Sequence, residues 1–431
     1  MKLTKFIATA MLLISCATTT AAQNGTMTPY SRFGYGILRD NATSTQQAMG
    51  GIGYAMSSGR QINVMNPASY ARIDSLTFLF DMGLDMSFLW STEQQNDGNN
   101  LSESNIGGGL NYITMQFPLG KRLGMSVGIL PYSSVGYSFG NTIDNGYTSR
   151  SGSGSINELY VGLAGSILRS ATFGHLSVGF NISYMFGSTN NDIYAITSSG
   201  STSLYSAILT VRDFHIDAGL QYTLPIGRTD NLTLGFVYSP EKNLLGRFRS
   251  YSYDVDTSST ESDEEISTRK YFSLASTYGG GINYQHGQSL MVEADFTYQP
   301  WSKTNYLQFD DETPEAVTGM FANRWKVAVG AQYQPAVRGS YAKRIQYRIG
   351  AYYNRDYMIV SRNASDKNNV REFGASAGVG LPVPGFKSVL NIGLEWSHRQ
   401  AYPTSLIKEN YFNITLGINF NETWFRKSRI Y

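Results

Sequence analysis

The sequence predicts an all-β protein, a transmembrane antiparallel β-barrel of about fourteen strands with an N-terminal hatch in its lumen. Three observations lead to this fold class. Apolar and polar residues alternate from Leu76 to Phe420. The 431 residues carry few charges but many glycines and aromatic rings. The chain also begins with an export signal, yet it contains no apolar run long enough for a spanning helix.

The alternation is clearest near the end of the chain. Apolar residues occupy every second position there: Phe412, Ile414, Leu416, Ile418 and Phe420. Successive side chains of a strand point to opposite faces, so this period gives a sheet one apolar face and one polar face. The pattern predicts strands, and the composition decides whether their apolar face meets lipid or a buried core.

The composition favours a barrel in lipid. Only 15% of the residues are charged, whereas Gly (44), Tyr (30) and Phe (22) are abundant. Disordered chains show the opposite balance, with high charge and few aromatic residues. The formal net charge of +2 excludes a strongly basic surface, so nucleic acid is not expected as a partner. Aromatic rings suit the two membrane interfaces, and small residues suit crowded strands.

Residues 1–22 have the pattern of a signal peptide. Lys2 and Lys5 precede an apolar stretch, Phe6–Ile14, and small residues at 20–22 offer a cleavage site before Gln23. A spanning helix needs about 20 apolar residues, more than this stretch supplies. The single cysteine, Cys16, lies in a segment that resembles a lipoprotein box. Cleavage before Gln23 is the favoured interpretation, and it predicts a mature chain without disulfide or thiol chemistry.

An exported membrane protein without a spanning helix must close its sheet, because lipid cannot satisfy an open strand edge. The predicted strands cover 76–90, 107–118, 122–139, 153–168, 173–189, 204–224, 231–251, 269–286, 288–308, 319–335, 343–360, 370–382, 386–402 and 409–421. Short links alternate with long polar ones. The predicted long links are 91–106, 140–152, 189–203, 252–268, 301–318 and 356–369. Short periplasmic turns and long outer loops are typical of an outer-membrane barrel.

A large soluble β protein is the alternative to this interpretation. Strands of soluble sandwiches and propellers usually run about five or six residues, shorter than most of the predicted ones. The sequence also shows no internal repeat of about 40–50 residues, the length of a propeller blade. The barrel domain is therefore placed at residues 76–421, followed by a tail at 422–431.

Residues 23–75 do not alternate and are rich in Gly, Ser, Asn and Met. They form either a disordered periplasmic tail or a plug in the lumen. The aromatic residues and methionines favour a plug, because disordered tails lack them and a barrel of this size encloses space that its own side chains do not fill. We therefore expect a hatch here.

The hatch contains Asn66, Pro67 and Ala68 shortly before the first strand. In these residues, and in its signal and strand count, the chain resembles the outer-membrane family of long-chain fatty-acid and aromatic-hydrocarbon transporters. The resemblance implies fourteen strands, a hatch that carries the Asn-Pro-Ala motif, and passive uptake of small hydrophobic molecules through hatch movement. Asn66, Pro67 and Ala68 are the gating residues that it implies.

The resemblance also implies a kinked third strand that opens sideways into the bilayer. Here the third strand contains Pro131, which has no N–H for a ladder bond, and Gly136, which allows a further distortion. The alternatives are a lateral exit for cargo, a bulge at the barrel rim without function, and the end of the strand. Pro131 and Gly136 are the candidate residues of a lateral opening.

The tail after the last predicted strand is basic and aromatic. It begins with Trp424, Phe425, Arg426 and Lys427, which could contact another protein or anionic head groups, or extend the aromatic girdle. Similar endings occur in Bacteroidota-type barrels that partner secretion or barrel-assembly machines. This similarity supports an alternative function, a non-transporting subunit of an outer-membrane secretion or assembly complex.

No pattern in the sequence predicts catalysis, a metal site or a cofactor. The histidines are scattered: His175, His215, His286 and His398. His215 and Asp217 share an inward face and predict a polar pair in the lumen, whereas 261–265 resembles a solvated acidic loop. Glu293 and Asp295 also point inward, which is ordinary in a wet lumen. The expected partners are outer-membrane lipid, a hydrophobic small molecule and other outer-membrane proteins.

Overall fold

The computed structural model describes residues 27–94, 100–143, 146–198, 200–256, 258–310, 313–361, 367–405 and 407–423. The predicted signal peptide with Cys16 and the tail residues Trp424, Phe425, Arg426 and Lys427 lie outside the described residues. Strands dominate the described part of the chain. No helix within these ranges is both long and apolar enough to cross a membrane.

The strands are β1 (Ile37–Leu38), β2 (Thr77–Gln94), β3 (Asn100–Pro118), β4 (Leu123–Ile143), β5 (Gly146–Ser170), β6 (Gly174–Thr197), β7 (Thr202–Pro225), β8 (Asp230–Ser239), β9 (Lys242–Asn243), β10 (Gly246–Asp254), β11 (Ser259–Ser267), β12 (Ser273–Leu274), β13 (Thr277–His286), β14 (Leu290–Gln299), β15 (Tyr306–Asp310), β16 (Thr313–Val317), β17 (Arg324–Tyr333), β18 (Gln346–Val360), β19 (Asn368–Pro382), β20 (Val389–Tyr402) and β21 (Ile407–Thr423). Short helices connect them. They are the α-helices Ser44–Gln47 and Tyr341–Arg344 and the 3-10 helices Pro29–Arg32, Pro67–Arg72, Thr268–Lys270 and Trp301–Lys303.

The sheet closes where β21 pairs with β2, from Thr77 opposite Thr423 to Glu93 opposite Ile407. All neighbours in the barrel are antiparallel, and the predicted 14-stranded barrel is confirmed. At two of the fourteen strand positions around the barrel, the strand consists of two separate segments. β8 and β10 share one position beside β7, and β13 and β11 share the next.

The apolar face of the barrel points outward and the polar face points into the lumen. On β14, Val292 and Phe296 are 43% and 49% exposed, while Glu293 and Asp295 are buried. An exposed apolar belt beside a polar interior is the arrangement that a lipid-embedded barrel requires. The structure thus assigns the apolar face to lipid, as the composition predicted.

Most of the predicted long links are wrong, because the strands continue through them. The predicted loops at 140–152, 189–203 and 252–268 are tight hairpins between β4 and β5, β6 and β7, and β10 and β11. Beyond the lipid both faces of a strand meet water, so the alternating pattern ends although the backbone pairing continues. The predicted acidic loop is part of β11, where Asp263 accepts a hydrogen bond of 2.8 Å from the Arg249 Nε of β10.

Residues 27–76, here the N-terminal segment, lie inside the lumen. The segment contacts strands on every side of the barrel, among them β4, β7, β14, β17 and β21. Tyr35, Met49, Ile52 and Tyr70 are fully buried in it. A segment that touches all sides of a closed ring must lie within that ring.

Glycines in the wall let the backbone of the N-terminal segment approach closely. A Cβ atom on Gly235 of β8 would lie 1.9 Å from the Tyr54 carbonyl oxygen. A Cβ atom on Gly350 of β18 would lie 2.0 Å from the Met49 carbonyl carbon. Both distances are shorter than van der Waals contact allows. Part of the high glycine content therefore serves the fit between the wall and its contents.

Aromatic side chains fill the outer end of the lumen around Tyr35. The rings within 6.4 Å of Tyr35, between centroids, are Phe272, Trp301, Tyr306 and Phe321. They belong to outer connections between strands, and the Tyr35 hydroxyl donates a hydrogen bond of 3.0 Å to the Ser273 carbonyl. The outer connections and the N-terminal segment therefore form one packed core.

Substitution of Gly235 by alanine should destabilise the barrel, because the new methyl group would overlap the Tyr54 backbone. Overpacking of this kind costs about 1–3 kcal/mol. We expect the free energy of unfolding in urea, measured on protein folded into lipid vesicles, to fall by that amount. The control is Gly280→Ala, whose Cβ has no neighbour nearer than 3.9 Å. Equal losses in both variants would contradict a close fit at Gly235.

Candidate functional site

The barrel wall is interrupted between β3 and β4. Their pairing runs only from Pro118 opposite Gly124 to Ile113 opposite Ile129. Beyond this point β3 pairs only with β2 among the residues that the structure describes, while β4 remains paired with β5 as far as Ile143. We call the interruption, between residues 100–112 of β3 and 130–143 of β4, the seam.

An irregularity lies at the start of the seam on each strand. On β4 the register with β5 shifts between Pro131 and Ser133, which leaves Tyr132 as an extra residue. On β3 the register with β2 shifts so that Asn111 is extra. Such bulges bend a strand and end regular pairing. Because Pro131 offers no N–H, its position fits the point where the ladder between β3 and β4 ends.

The N-terminal segment occupies the edge of β4 that β3 leaves. Its short strand β1 places Ile37 opposite Ser134 and Leu38 opposite Ser133. The Arg39 N–H donates a hydrogen bond of 2.9 Å to the Tyr132 carbonyl. Farther along, the Thr28 N–H donates a hydrogen bond of 2.7 Å to the carbonyl of Gly136. Pro131 and Gly136 thus flank the stretch of β4 that the N-terminal segment covers.

A cavity of about 170 Å³ lies behind the seam. Its walls come from β1, β2, β3 and the strands on the far side of the ring, and most of the side chains that line it are polar or charged. They include Asp85, Asn105, Asn111, Lys326, Glu395 and Arg399. A cavity with this lining suits water, ions or a polar group better than a hydrocarbon.

Asp40 fixes the N-terminal segment at this cavity through two cations of β17. Its carboxylate accepts a hydrogen bond of 3.1 Å from Arg324 Nη2 and another from the Lys326 ammonium. Burial alone would raise the pKa of Asp40, but Lys326 and Arg324 outweigh it and hold the pKa well below its usual range. Arg324 is bonded in turn to Gln299 and Asn354. We call the contacts of Asp40 with Arg324 and Lys326 the latch.

Two carboxylates of β14 anchor a second part of the N-terminal segment. Asp295 accepts hydrogen bonds from the Gly53 and Tyr54 N–H groups at 2.6 and 3.0 Å, and Glu293 accepts one from Ala55 at 2.9 Å. The sequence predicted that both carboxylates face inward. It gave no sign of their partners, which lie about 240 residues earlier in the chain.

The Asn-Pro-Ala motif lies at the opposite end of the segment from β1. The Asn66 side chain accepts a hydrogen bond of 3.0 Å from Ala68 N–H and donates one of 2.6 Å to the Tyr54 carbonyl. It also donates a hydrogen bond of 3.2 Å to the Leu220 carbonyl of β7. All three residues of the motif are buried, and Pro67 begins the 3-10 helix Pro67–Arg72. The motif therefore packs against β6 and β7, not at the seam.

His215 forms the predicted pair with Asp217, and a third group joins it. The His215 Nδ1 atom lies 3.7 Å from Asp217 and 3.6 Å from Glu158 of β5. The Tyr132 ring lies edge-on at 6.5 Å. Glu158 could not be assigned to the pair because it lies on β5, two strands away from β7 in the sheet, and such partners have no fixed spacing in the sequence. In the described part of the chain, no group of three His, Cys, Asp or Glu residues is arranged to hold a metal ion.

Comparisons with known proteins identify a family and similar solved structures. The BamG family model matches residues 3–431. Among solved structures, the CymD monoaromatic hydrocarbon channel is similar with a TM-score of 0.56 and 15% identity, over 91% of this chain and 100% of the channel. A FadL homologue from Pseudomonas aeruginosa is similar with a TM-score of 0.59 and 12% identity, over 90% of this chain and 99% of the homologue. The search of curated proteins finds no match.

The toluene transporter TodX from P. putida gives a TM-score of 0.59 and 15% identity, over 90% of this chain and 100% of the transporter. Identities this low show the fold alone. The predicted resemblance to the fatty-acid and hydrocarbon transporter family is confirmed at that level, as is an outer-membrane location. The similar structures are channels and transporters rather than enzymes.

Replacing Asp40 by asparagine should loosen the N-terminal segment at the seam. Arg324 and Lys326 are only 7% and 10% exposed, so loss of the carboxylate leaves two buried cations without their counter-ion. The Asp40 side chain is 30% exposed, so breaking this partly buried ion pair costs about 1–3 kcal/mol, which corresponds to roughly tenfold to hundredfold faster amide exchange. Hydrogen exchange of the backbone amides of residues 37–39 measures this loosening of the N-terminal segment. The exposed pair of Arg60 and Asp74 supplies the control, because Arg60→Gln should change exchange little.

The latch should be insensitive to pH until strongly acidic conditions. A carboxylate whose pKa is lowered by folding stabilises the fold above its unfolded pKa, about 3.9, and loses that contribution as pH falls through the folded value. We therefore expect constant protection of residues 37–39 between about pH 8 and pH 5, and loss of protection only below about pH 4. Loss near pH 6 would show that another group controls the segment.

Proposed function

The chain belongs to the BamG family, and we propose that it is a plugged barrel subunit of an outer-membrane complex that secretes or assembles proteins. In this proposal the barrel does not itself transport small molecules. The observation that carries the proposal is the filled lumen. Packed aromatic rings occupy its outer end, and the anchored N-terminal segment occupies its middle.

The interior offers poor conditions for a hydrophobic cargo. A binding site for such a cargo is expected to be mostly apolar. The cavity behind the seam instead holds the latch and a second buried ion pair, in which Arg399 Nη2 lies 2.8 Å from Glu372. Desolvating charged groups to admit a hydrocarbon would cost several kcal/mol per group. A subunit that acts through its surface does not face this cost.

Passive uptake of small hydrophobic molecules is the second candidate. The fold shared with hydrocarbon channels and the interruption of the wall favour it. In this hypothesis the hatch shifts at Asn66, Pro67 and Ala68 and admits the cargo. The cargo then leaves sideways into the bilayer, past Pro131 and Gly136. The N-terminal segment would have to release the latch for the path to open.

Both candidates place the protein in contact with outer-membrane lipid, and neither requires a cofactor or an enzymatic step. They differ in the partner, which is a protein in the first and a hydrophobic small molecule in the second. For the first, the basic tail with Trp424, Phe425, Arg426 and Lys427 is the proposed contact. Its charges and aromatic rings suit a protein surface or anionic head groups.

Purification from native outer membranes in mild detergent tests the proposal. We expect a second outer-membrane protein to co-purify in a fixed ratio, and deletion of residues 424–431 to reduce its recovery. The control is the double variant Arg338→Ser and Lys343→Ser, which removes two positive charges from an exposed turn without touching the tail. A protein that remains alone, and that carries toluene or a fatty acid into vesicles, would favour uptake instead.

A further inference from the structure

We propose that the free edge of β3 at the seam receives an extended strand from a partner outer-membrane protein. The added strand would pair with β3 along residues 100–112 and complete the wall there. This inference rests on the proposed function, since it supplies the contact through which a plugged barrel would hold its partner.

The edge of β3 lacks backbone partners along the outer half of its predicted membrane-spanning stretch, residues 107–112, and beyond it. From Asn100 to Tyr112 the strand pairs with β2 on one side, and no described residue pairs with it on the other. A spanning strand needs about 9–11 residues. Lipid cannot hydrogen-bond to backbone N–H and C=O groups, and each unsatisfied group costs several kcal/mol. An edge of this length therefore favours a peptide as its occupant over an acyl chain.

The two sides of the seam differ in a way that selects β3. On the β4 side, β1 and the preceding residues bond to Ser133, Ser134 and Gly136. The N-terminal segment thus already serves the β4 edge. Among the described residues, the β3 edge at the gap has no such partner. A new strand would therefore pair with β3, because the β4 edge is already occupied.

The side chains of β3 at the seam match a strand that spans lipid. Ile106 and Leu110 are 59% and 58% exposed on the outer face. On the inner face lie Gly107 and Gly109, and a Cβ atom on Gly109 would meet nothing within 4 Å. The occupant that fits is a strand with apolar side chains toward lipid and small or polar side chains toward the cavity.

A second free edge in the barrel shows the opposite chemistry. Within the described part of the chain β11 pairs only with β10, and its sequence carries Asp263, Glu264 and Glu265. Charges on an edge strand prevent pairing with other chains. The β3 edge beside the gap has a single charged residue, Glu103, and its exposed side chains at Ile106 and Leu110 are apolar. Of these two edges, β3 has the composition that permits strand addition.

Site-specific photo-crosslinking in native membranes tests the inference. A crosslinking amino acid is placed at Ser104, Ile106 or Leu110, one position at a time. We expect each to react with one segment of the co-purified protein, at sites that move by two or four residues as the position moves. The control position is Val292 on β14, which also faces lipid but lies on a strand paired along both edges.

A second variant fills the space on the inner side of the gap, where the added strand would place its small or polar side chains, without straining β3. Gly109→Trp has open space for its side chain, whereas Gly280→Trp faces lipid on a fully paired strand and serves as its control. We expect recovery of the partner to fall at least about tenfold in the first variant, a change equal to 1.4 kcal/mol. Gel mobility of the folded barrel shows whether each variant folds, and Ile106→Arg serves if Gly109→Trp does not.

Other outcomes overturn the inference. The inference about β3 is wrong if the crosslinks form only with lipid, with the N-terminal segment of the same chain, or with scattered sites on the partner. It is also wrong if recovery of the partner is undiminished with the folded Gly109→Trp variant. None of these outcomes contradicts the proposed function. Isolation of the chain without any protein partner would overturn the proposed function and this inference together.

Discussion

The structure depends on the need of every backbone N–H and C=O group in lipid for a hydrogen-bonding partner within the protein. This need closes the sheet through β2 and β21, whereas the hairpins between β4 and β5 and between β6 and β7 continue the pairing beyond the lipid, in water. A similar need acts inside the barrel, where buried backbone groups are cut off from water. The N-terminal segment has little regular structure, so its backbone groups find partners in wall side chains such as Asp295 and Glu293.

Glycine and ion pairs make that internal arrangement specific. Wall glycines such as Gly235 and Gly350 bring the segment to backbone distance at some points. At others, charged side chains reach across to it, and Asp40 between Arg324 and Lys326 is the strongest case. The contents of the barrel are therefore a fitted part of the fold. The seam belongs to the same arrangement, since β1 takes the place beside β4 that β3 leaves.

The sequence predicted the parts of this structure that repeat. Period-two alternation gave the strands, the short turns and the inward positions of His215, Glu293 and Asp295. It failed at 140–152 and 252–268, where both strand faces meet water and the pattern loses its contrast. Pro131 could be singled out because proline removes a specific donor. Asp40, Glu158 and β1 could not, because their partners are set by strand order and register, which leave no spacing in a single sequence.

One feature bears on the order in which the chain folds. The N-terminal segment is covalently joined to β2 and lies within a ring that β21 completes. Its bulk, with fully buried Tyr35, Met49 and Tyr70, cannot pass through a finished wall or between the packed outer connections. The segment either enters through the end of the ring that carries the short turns or is enclosed as the ring forms, before β21 meets β2. In the second case residues 27–76 act as a template around which the later strands gather, and pairing of β2 with β21 is the final step.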